Sequence, residues 1–331
     1  MVFSSLTATE RDMGTVILRA CALQTDPGSG DVEENLARAW ETVTRTMDAT
    51  SGIGVLVCPE LGFSTYCLTS VERARACARW ETAIVAWAGR VARYLNAHVA
   101  VGHAREDSET KTVYNSQTVV DANGVARHVY DKSHLYCVDE EWGCGEGKGF
   151  ETYELDLRCF AEDDRGVIGE VTRRVKCASA ICMDINPYKF EAPWDAYELA
   201  NACAGCELIL FSSAWTNAHP DDDIEVKRAP IDFAETVTYW LARLRPLIGK
   251  REPNGTHFIC ANRIGVENDI QFTGCSCLVD LRSPPILRGA MEKREEGIAS
   301  ALIPLGGDDD DDDDDDDLAR RVFSFISTAV T

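Results

Sequence analysis

Basic charge is scarce in this 331-residue chain: 33 lysines and arginines face 55 aspartates and glutamates, for a formal net charge of −22. Ten of the acidic residues form one run, Asp308 to Asp317, and without them the remainder still stands at −12. Nothing basic is clustered, which argues against nucleic acid or an anionic membrane surface as partner, since both require a basic patch. Long apolar runs are also missing. None approaches the ~20 residues that span a bilayer. Met1 to Gly14 has neither a positively charged start nor an apolar core, so no secretory signal is expected there. A second closely spaced cysteine pair is the third absence. Cys203-Ala-Gly-Cys206 has the spacing of a metal or redox pair, but Cys275-Ser-Cys277 is too close to complete a zinc site, and no metal is expected.

Cysteine itself is plentiful, at fourteen. Many lie in apolar runs (Cys21, Cys58, Cys177, Cys260) or among helical residues (Cys77, Cys203). Those positions suit a small hydrophobe in a reducing compartment better than a disulfide framework. A cytoplasmic or nuclear protein is therefore expected. The apolar fraction of 45% and charged fraction of 27% are those of an ordinary globular chain. No linker-like stretch divides the chain, so one domain is expected over 1–331, with its core at about 16–304. Residues 306–317 read as a solvated, disordered acidic insertion, because adjacent carboxylates repel and bury nothing.

Early in the chain, strand and helix patterns alternate. Val16–Leu23 and Ile53–Cys58 read as strands, Asp31–Met47 as a capped helix, Val71–Leu95 as one long helix, and Val99–His103 as a strand. Tyr114–Val120 and Val125–Tyr130 flank Asp121-Ala-Asn-Gly124, a hairpin signal. Later, Pro193–Ala204 and Lys227–Ile248 read as helices, the second broken by Pro246. Leu208–Ser212, His257–Ala261 and Ile298–Ile303 read as strands, and Phe272–Asp280 with Pro285–Arg288 as a hairpin. The pattern predicts a mixed sheet covered by helices.

Three strand ends carry unusual polar residues. Val175–Trp194 reads V-K-C-A-S-A-I-C-M-D-I-N-P-Y-K-F-E-A-P-W: an apolar run closes at Cys182 and turns abruptly polar. A residue there is held by the strand yet opens into a crevice. Glu60 follows the run Ile53–Cys58, and Lys132 follows Val129-Tyr-Asp. Brought together, they supply what amide cleavage needs. A buried carboxylate takes the thiol proton, an ammonium and a backbone N–H hold the oxyanion, and the carboxylate returns the proton to the leaving amine.

The order of P-E-L-G-F-S-T-Y, D-K-S-H-L-Y and I-C-M-D-I-N-P-Y-K-F-E-A-P-W resembles the nitrilase superfamily, and the third motif its protein N-terminal amidase branch. The similarity runs from about Val16 to Ile303 and includes A-N-R-I-G-V-E and F-T-G-C-S. It implies a four-layer αββα sandwich with two mixed sheets and a Cys-Glu-Lys triad at Cys182, Glu60 and Lys132. The family's second glutamate falls on Glu140, beside Glu141. The branch implies polypeptide substrates beginning with Asn or Gln, deamidated to Asp or Glu through a cysteine thioester with release of ammonia, feeding the N-degron pathway. No metal or organic cofactor is implied. Homo-oligomer formation stays open, opposed by the acidic surface.

Binding a free α-amino group calls for a carboxylate, for which Asp184, Glu191 and Asp221–Asp223 are candidates. Asp184 and Asn186 also suit a turn-stabilising role. Tyr66, Trp142 and Trp215 either line the pocket or pack under loops, and His134 reads as structural. Two alternatives stand beside the amidase. One is a small-molecule amidase or carbamoylase, which would want a basic residue for its substrate's carboxylate. The other is a cysteine-rich pseudoenzyme scaffold.

Overall fold

Fourteen strands and six α-helices occur among the described residues of the computed structural model, which are 15–28, 31–163, 165–218, 229–250, 255–291 and 294–306. The acidic run Asp308–Asp317 and the Asp221–Asp223 cluster lie outside them. In the first half, β1 (Val16–Gln24), β2 (Ile53–Val57), β3 (His98–Glu106), β4 (Val113–Val120) and β5 (Ala126–Asp131) are hydrogen-bonded in that order. The second half holds β6 (Thr152–Glu162), β7 (Ile168–Ile181), β8 (Leu208–Ser213) and β9 (His257–Asn262). A side hairpin, β10 (Ile264–Glu267) and β11 (Ile270–Thr273), interrupts that half before β12 (Cys277–Asp280) and β13 (Ile286–Ala290) extend it. The last strand, β14 (Gly297–Leu305), returns to pair antiparallel with β1.

The two halves join through a single bridge, Ile17 to Phe160 between β1 and β6. Beyond it they fold face to face. One buried cluster takes Leu18, Ala20, Val55 and Val57 from the first half and Leu157, Val175, Leu208, Leu210 and Ile259 from the second. The outer face of the first half is covered by α1 (Val32–Thr46) and α3 (Glu81–Leu95), through Val43, Ile84, Trp87 and Val91. That of the second is covered by α5 (Glu198–Ala202) and α6 (Ala229–Arg243), through Leu199, Phe233 and Trp240. This is the αββα layering the resemblance implied. Strands covered on both faces read as continuous apolar runs, which is why β1 and β8 are buried along almost their whole lengths.

Several elements differ from the sequence reading: Phe272–Asp280 is divided between β11 and β12, and Pro193–Ala204 between a 3-10 turn over Trp194–Ala196 and α5. Val71–Leu95 is two helices, α2 (Val71–Ala78) and α3, because their apolar sides face different neighbours. Ala74 and Cys77 pack with Leu61 and Tyr66, whereas Ile84 and Val91 pack on the sheet. Lys227–Ile248 is shorter: α6 ends at Arg243 and a 3-10 turn follows over Arg245–Leu247. Proline at 246 has no N–H to bond the carbonyl four residues back, so the α-helical ladder stops before it. The long hairpin of β6 and β7 is the larger omission, although Thr152–Glu162 alternates in burial over much of its length as a strand with one covered face should. The cysteines distribute as small hydrophobes: Cys58, Cys159, Cys177, Cys203 and Cys260 are core residues. No helix among the described residues is long and apolar enough to cross a membrane.

Candidate active site

At the end of β7 the chain enters a 3-10 turn, Cys182–Ile185, with Cys182 at a φ of 41°. A non-glycine residue with positive φ is costly, of order 1–3 kcal/mol, and persists only where its surroundings over-determine it. Asp184 does much of that. Its Oδ1 accepts from the N–H groups of Ser133 (3.0 Å) and His134 (2.7 Å), and its Oδ2 from Ile181 N–H (2.7 Å) and the Tyr130 hydroxyl (2.9 Å). One buried carboxylate thus ties the cysteine turn to the segment carrying Lys132. With both oxygens so engaged, Asp184 is not a receptor for a substrate amine, which corrects that expectation and leaves the turn-stabilising one.

Glu60 follows β2 and Lys132 follows β5, and both are fully buried. Gly102 lets Glu60 in: a Cβ there would lie 2.4 Å from the Pro59 carbonyl oxygen and 2.9 Å from Glu60 Cα. The Lys132 ammonium donates to Glu60 Oε1 at 2.7 Å and to Asp139 Oδ2 at 2.7 Å. Asn115 Nδ2 donates to the same Glu60 oxygen at 2.7 Å and to Asp139 Oδ1 at 3.1 Å. Glu60 Oε2 is buried with no hydrogen-bond partner among the described residues. Lysine has three N–H donors, so one remains beyond these two contacts.

The balance of charge can be weighed. Burying an ammonium costs several kcal/mol, while each carboxylate this close returns roughly 4–6 kcal/mol at an effective dielectric near 20. Burial alone would lower the Lys132 pKa, but Asp139 and then Glu60 outweigh it and hold the amine well above its ordinary range. Burial pushes the Glu60 carboxyl upward; Lys132 opposes this and Asp139 reinforces it. The Cys182 thiol is 7% exposed and is pushed up by burial and then by Glu60. Lys132, the Ser213 hydroxyl and the Ala214 N–H pull it down. The thiol is thus held neutral by burial and by Glu60, beside a buried Glu60–Lys132–Asp139 cluster in which Glu60 Oε2 has no hydrogen-bond partner among the described residues.

The other expected residues fall in different places. Glu140 is corrected: its side chain is 49% exposed and reaches Lys189 at 3.4 Å, while Asp139, 1% exposed, holds the ammonium. The reason is helical phase. In α4 (Cys137–Glu141) Asp139 accepts from Tyr136 N–H at 3.0 Å as an inward cap, and the next residue turns about 100° away. Tyr66 is buried, edge-on to Phe272, and feels the charges of Glu60, Lys132 and Cys182. Half-buried Trp215 packs with Phe150 against Tyr130, Ile181 and Cys182. Trp142 packs under loops with Leu61 and Tyr66. Glu191 is exposed on the loop after the cysteine turn, apart from the buried cluster. His134 donates from Nδ1 to the Asn186 carbonyl oxygen, 2.9 Å away, and packs edge-on with Tyr188, a structural placement.

Asn115 and Asp139 were not singled out in the sequence. A weak signal existed, since a polar Asn115-Ser116-Gln117 stretch lies inside an otherwise apolar strand, and all three are fully buried. Arg263, likewise buried, pairs with Glu267 at 3.0 Å, and Glu267 accepts from Tyr66 N–H and Cys67 N–H at 2.8 and 2.9 Å. The A-N-R-I-G-V-E motif thereby clamps the loop that follows Glu60.

Compared with known proteins, the chain matches the carbon-nitrogen hydrolase family model over residues 19–307. It is 28% identical over 292 residues to the protein N-terminal amidase of Schizosaccharomyces pombe, covering 82% of this chain and 94% of that protein. Two solved structures of an N-terminal amidase, with an Asn-Glu-Ala peptide and with a Gln-Val peptide, superpose with TM-scores of 0.76 and 0.75. They are 19% and 18% identical and the match covers 88% of this chain and 98% of each, a likeness of fold.

Proposed function

Because the chain belongs to the carbon-nitrogen hydrolase family, we propose that it hydrolyses the side-chain amide of an N-terminal asparagine or glutamine on a polypeptide. The products are an N-terminal aspartate or glutamate and ammonia. The likeness to protein N-terminal amidases, over nearly the full length of the fission-yeast protein, supports this substrate.

The chemistry rests on one observation: Glu60 has one oxygen held by Lys132 and Asn115 and the other buried without a partner among the described residues. In the reaction, Glu60 Oε2 takes the Cys182 proton as the sulfur attacks the carboxamide carbon. The proton stays within the site, so its net charge does not change as the thiolate forms. The third Lys132 N–H and the Met183 N–H stabilise the oxyanion. Glu60 then protonates the departing amine, ammonia leaves, and a thioester remains on Cys182. Water, deprotonated by Glu60, attacks that thioester and frees the thiol. Asp139 and Asn115 position Lys132 and Glu60 throughout. No step calls for a metal or organic cofactor.

Ammonia release from Asn- and Gln-initiated peptides tests the reading against free asparagine, free glutamine and N-carbamoyl amino acids. Turnover of the peptides is expected. Turnover of the small molecules alone overturns the polypeptide substrate and favours the small-molecule amidase.

A further inference from the structure

A line of aromatic rings leads from the nucleophile to the surface. Trp215 packs on the cluster that contains Cys182, and the N–H of its neighbour Ala214 draws the thiol's pKa down. Tyr239 on α6 lies 5.5 Å from Trp215, centroid to centroid, and Trp194 lies 5.7 Å from Tyr239. Trp215 and Tyr239 are half-buried, and Trp194 is 49% exposed. Single exposed aromatics are ordinary. This one is anchored. The Arg243 guanidinium, 2% exposed, stacks 4.5 Å from the Trp194 ring, donates to the Trp194 carbonyl, and donates to Ile185 O at 2.9 Å. The Tyr239 hydroxyl donates to Asn186 Oδ1 at 2.5 Å. Trp215 in turn rests edge-on against buried Trp240.

We propose that Trp215, Tyr239 and Trp194 form a binding ridge for the second to fourth residues of the polypeptide substrate, selecting apolar over acidic side chains there. The proposal rests on the N-terminal amidase reading. Two ring-to-ring steps of 5.5 and 5.7 Å match about three residues of extended chain at ~3.3 Å each. Rings fixed before binding give contact area at little entropic cost. Charge sets the discrimination, because Glu191 and Asp195 are exposed on the same loop as Trp194 and would repel a substrate carboxylate.

The test compares ammonia release from Asn-Ala-Phe-Ala and Asn-Ala-Asp-Ala. In the unaltered enzyme kcat/KM is expected to favour the phenylalanine peptide by about tenfold. Trp194→Ala should shrink that ratio to within about twofold, through KM with kcat held, and Trp194→Phe should restore much of it. Val167→Ala removes an equally exposed apolar side chain from the β6–β7 turn and should leave the ratio intact. An unchanged ratio in Trp194→Ala, or a fall in kcat alone, overturns the ridge while the deamidase reading stands. No ammonia from either peptide or from the dipeptide Asn-Ala overturns both.

Discussion

The cluster around Lys132 and the loop from Pro187 to Tyr197, which follows the cysteine turn, are built on opposite lines. In the cluster, Glu60, Asn115, Lys132 and Asp139 are essentially without exposure, and each carboxylate oxygen but Glu60 Oε2 has a hydrogen-bond partner among the described residues. In the loop, Lys189, Phe190 and Tyr197 have positive φ, and Phe190 and Trp194 are 59% and 49% exposed. A buried charge tolerates one geometry, since any unmet partner costs free energy. An exposed ring can be exchanged at small cost to the fold. The proposed reaction chemistry lies in the first region and the proposed selection among substrates in the second.

Four substitutions probe that contrast, in decreasing order of effect. Cys182→Ala should cut ammonia release by at least ~10⁴-fold with the melting temperature little changed, because it removes the nucleophile alone. Residual turnover within about tenfold would place the nucleophile elsewhere. Asp184→Asn makes an amide NH₂ face donors where a carboxylate oxygen accepted them, at roughly 2–4 kcal/mol for two buried groups left unmet. Thermal denaturation should register a fall of several degrees in Tm.

Asp139→Asn should lower kcat about 10–100-fold by weakening a charge-assisted bond to Lys132, whereas Glu140→Gln should stay within about twofold. Equal losses in the two would erase the distinction between buried and rim carboxylates. The pH profile sharpens it further. Glu60 acts ionised and its pKa is raised, so kcat/KM should fall with decreasing pH above the ordinary carboxylate range. Asp139 contributes to that raise, so in Asp139→Asn the acidic limb should move to lower pH.

Much of this was legible in the chain. Glu60 and Cys182 each follow an apolar run and Lys132 follows the second strand of a hairpin, so all three stand at strand ends that the sequence exposes. The β4–β5 hairpin was legible for the same reason, through Asp121–Gly124. Asp139 was not, since one residue of helical phase separates it from Glu140 and linear spacing does not resolve that. Neither was the division of Val71–Leu95, where two apolar faces meet different partners.

By itself the sequence determined the residue types at the strand ends, the apolar runs that become covered sheets, and the acidity that disfavours polyanions. Only the tertiary structure decided which carboxylate holds Lys132, that Asp184 ties two segments together, and that Trp194 connects through Tyr239 and Trp215 to the cluster around Cys182. Those choices depend on distances between residues far apart in the chain. Local patterning sets which face a residue occupies, and packing alone sets what it meets there.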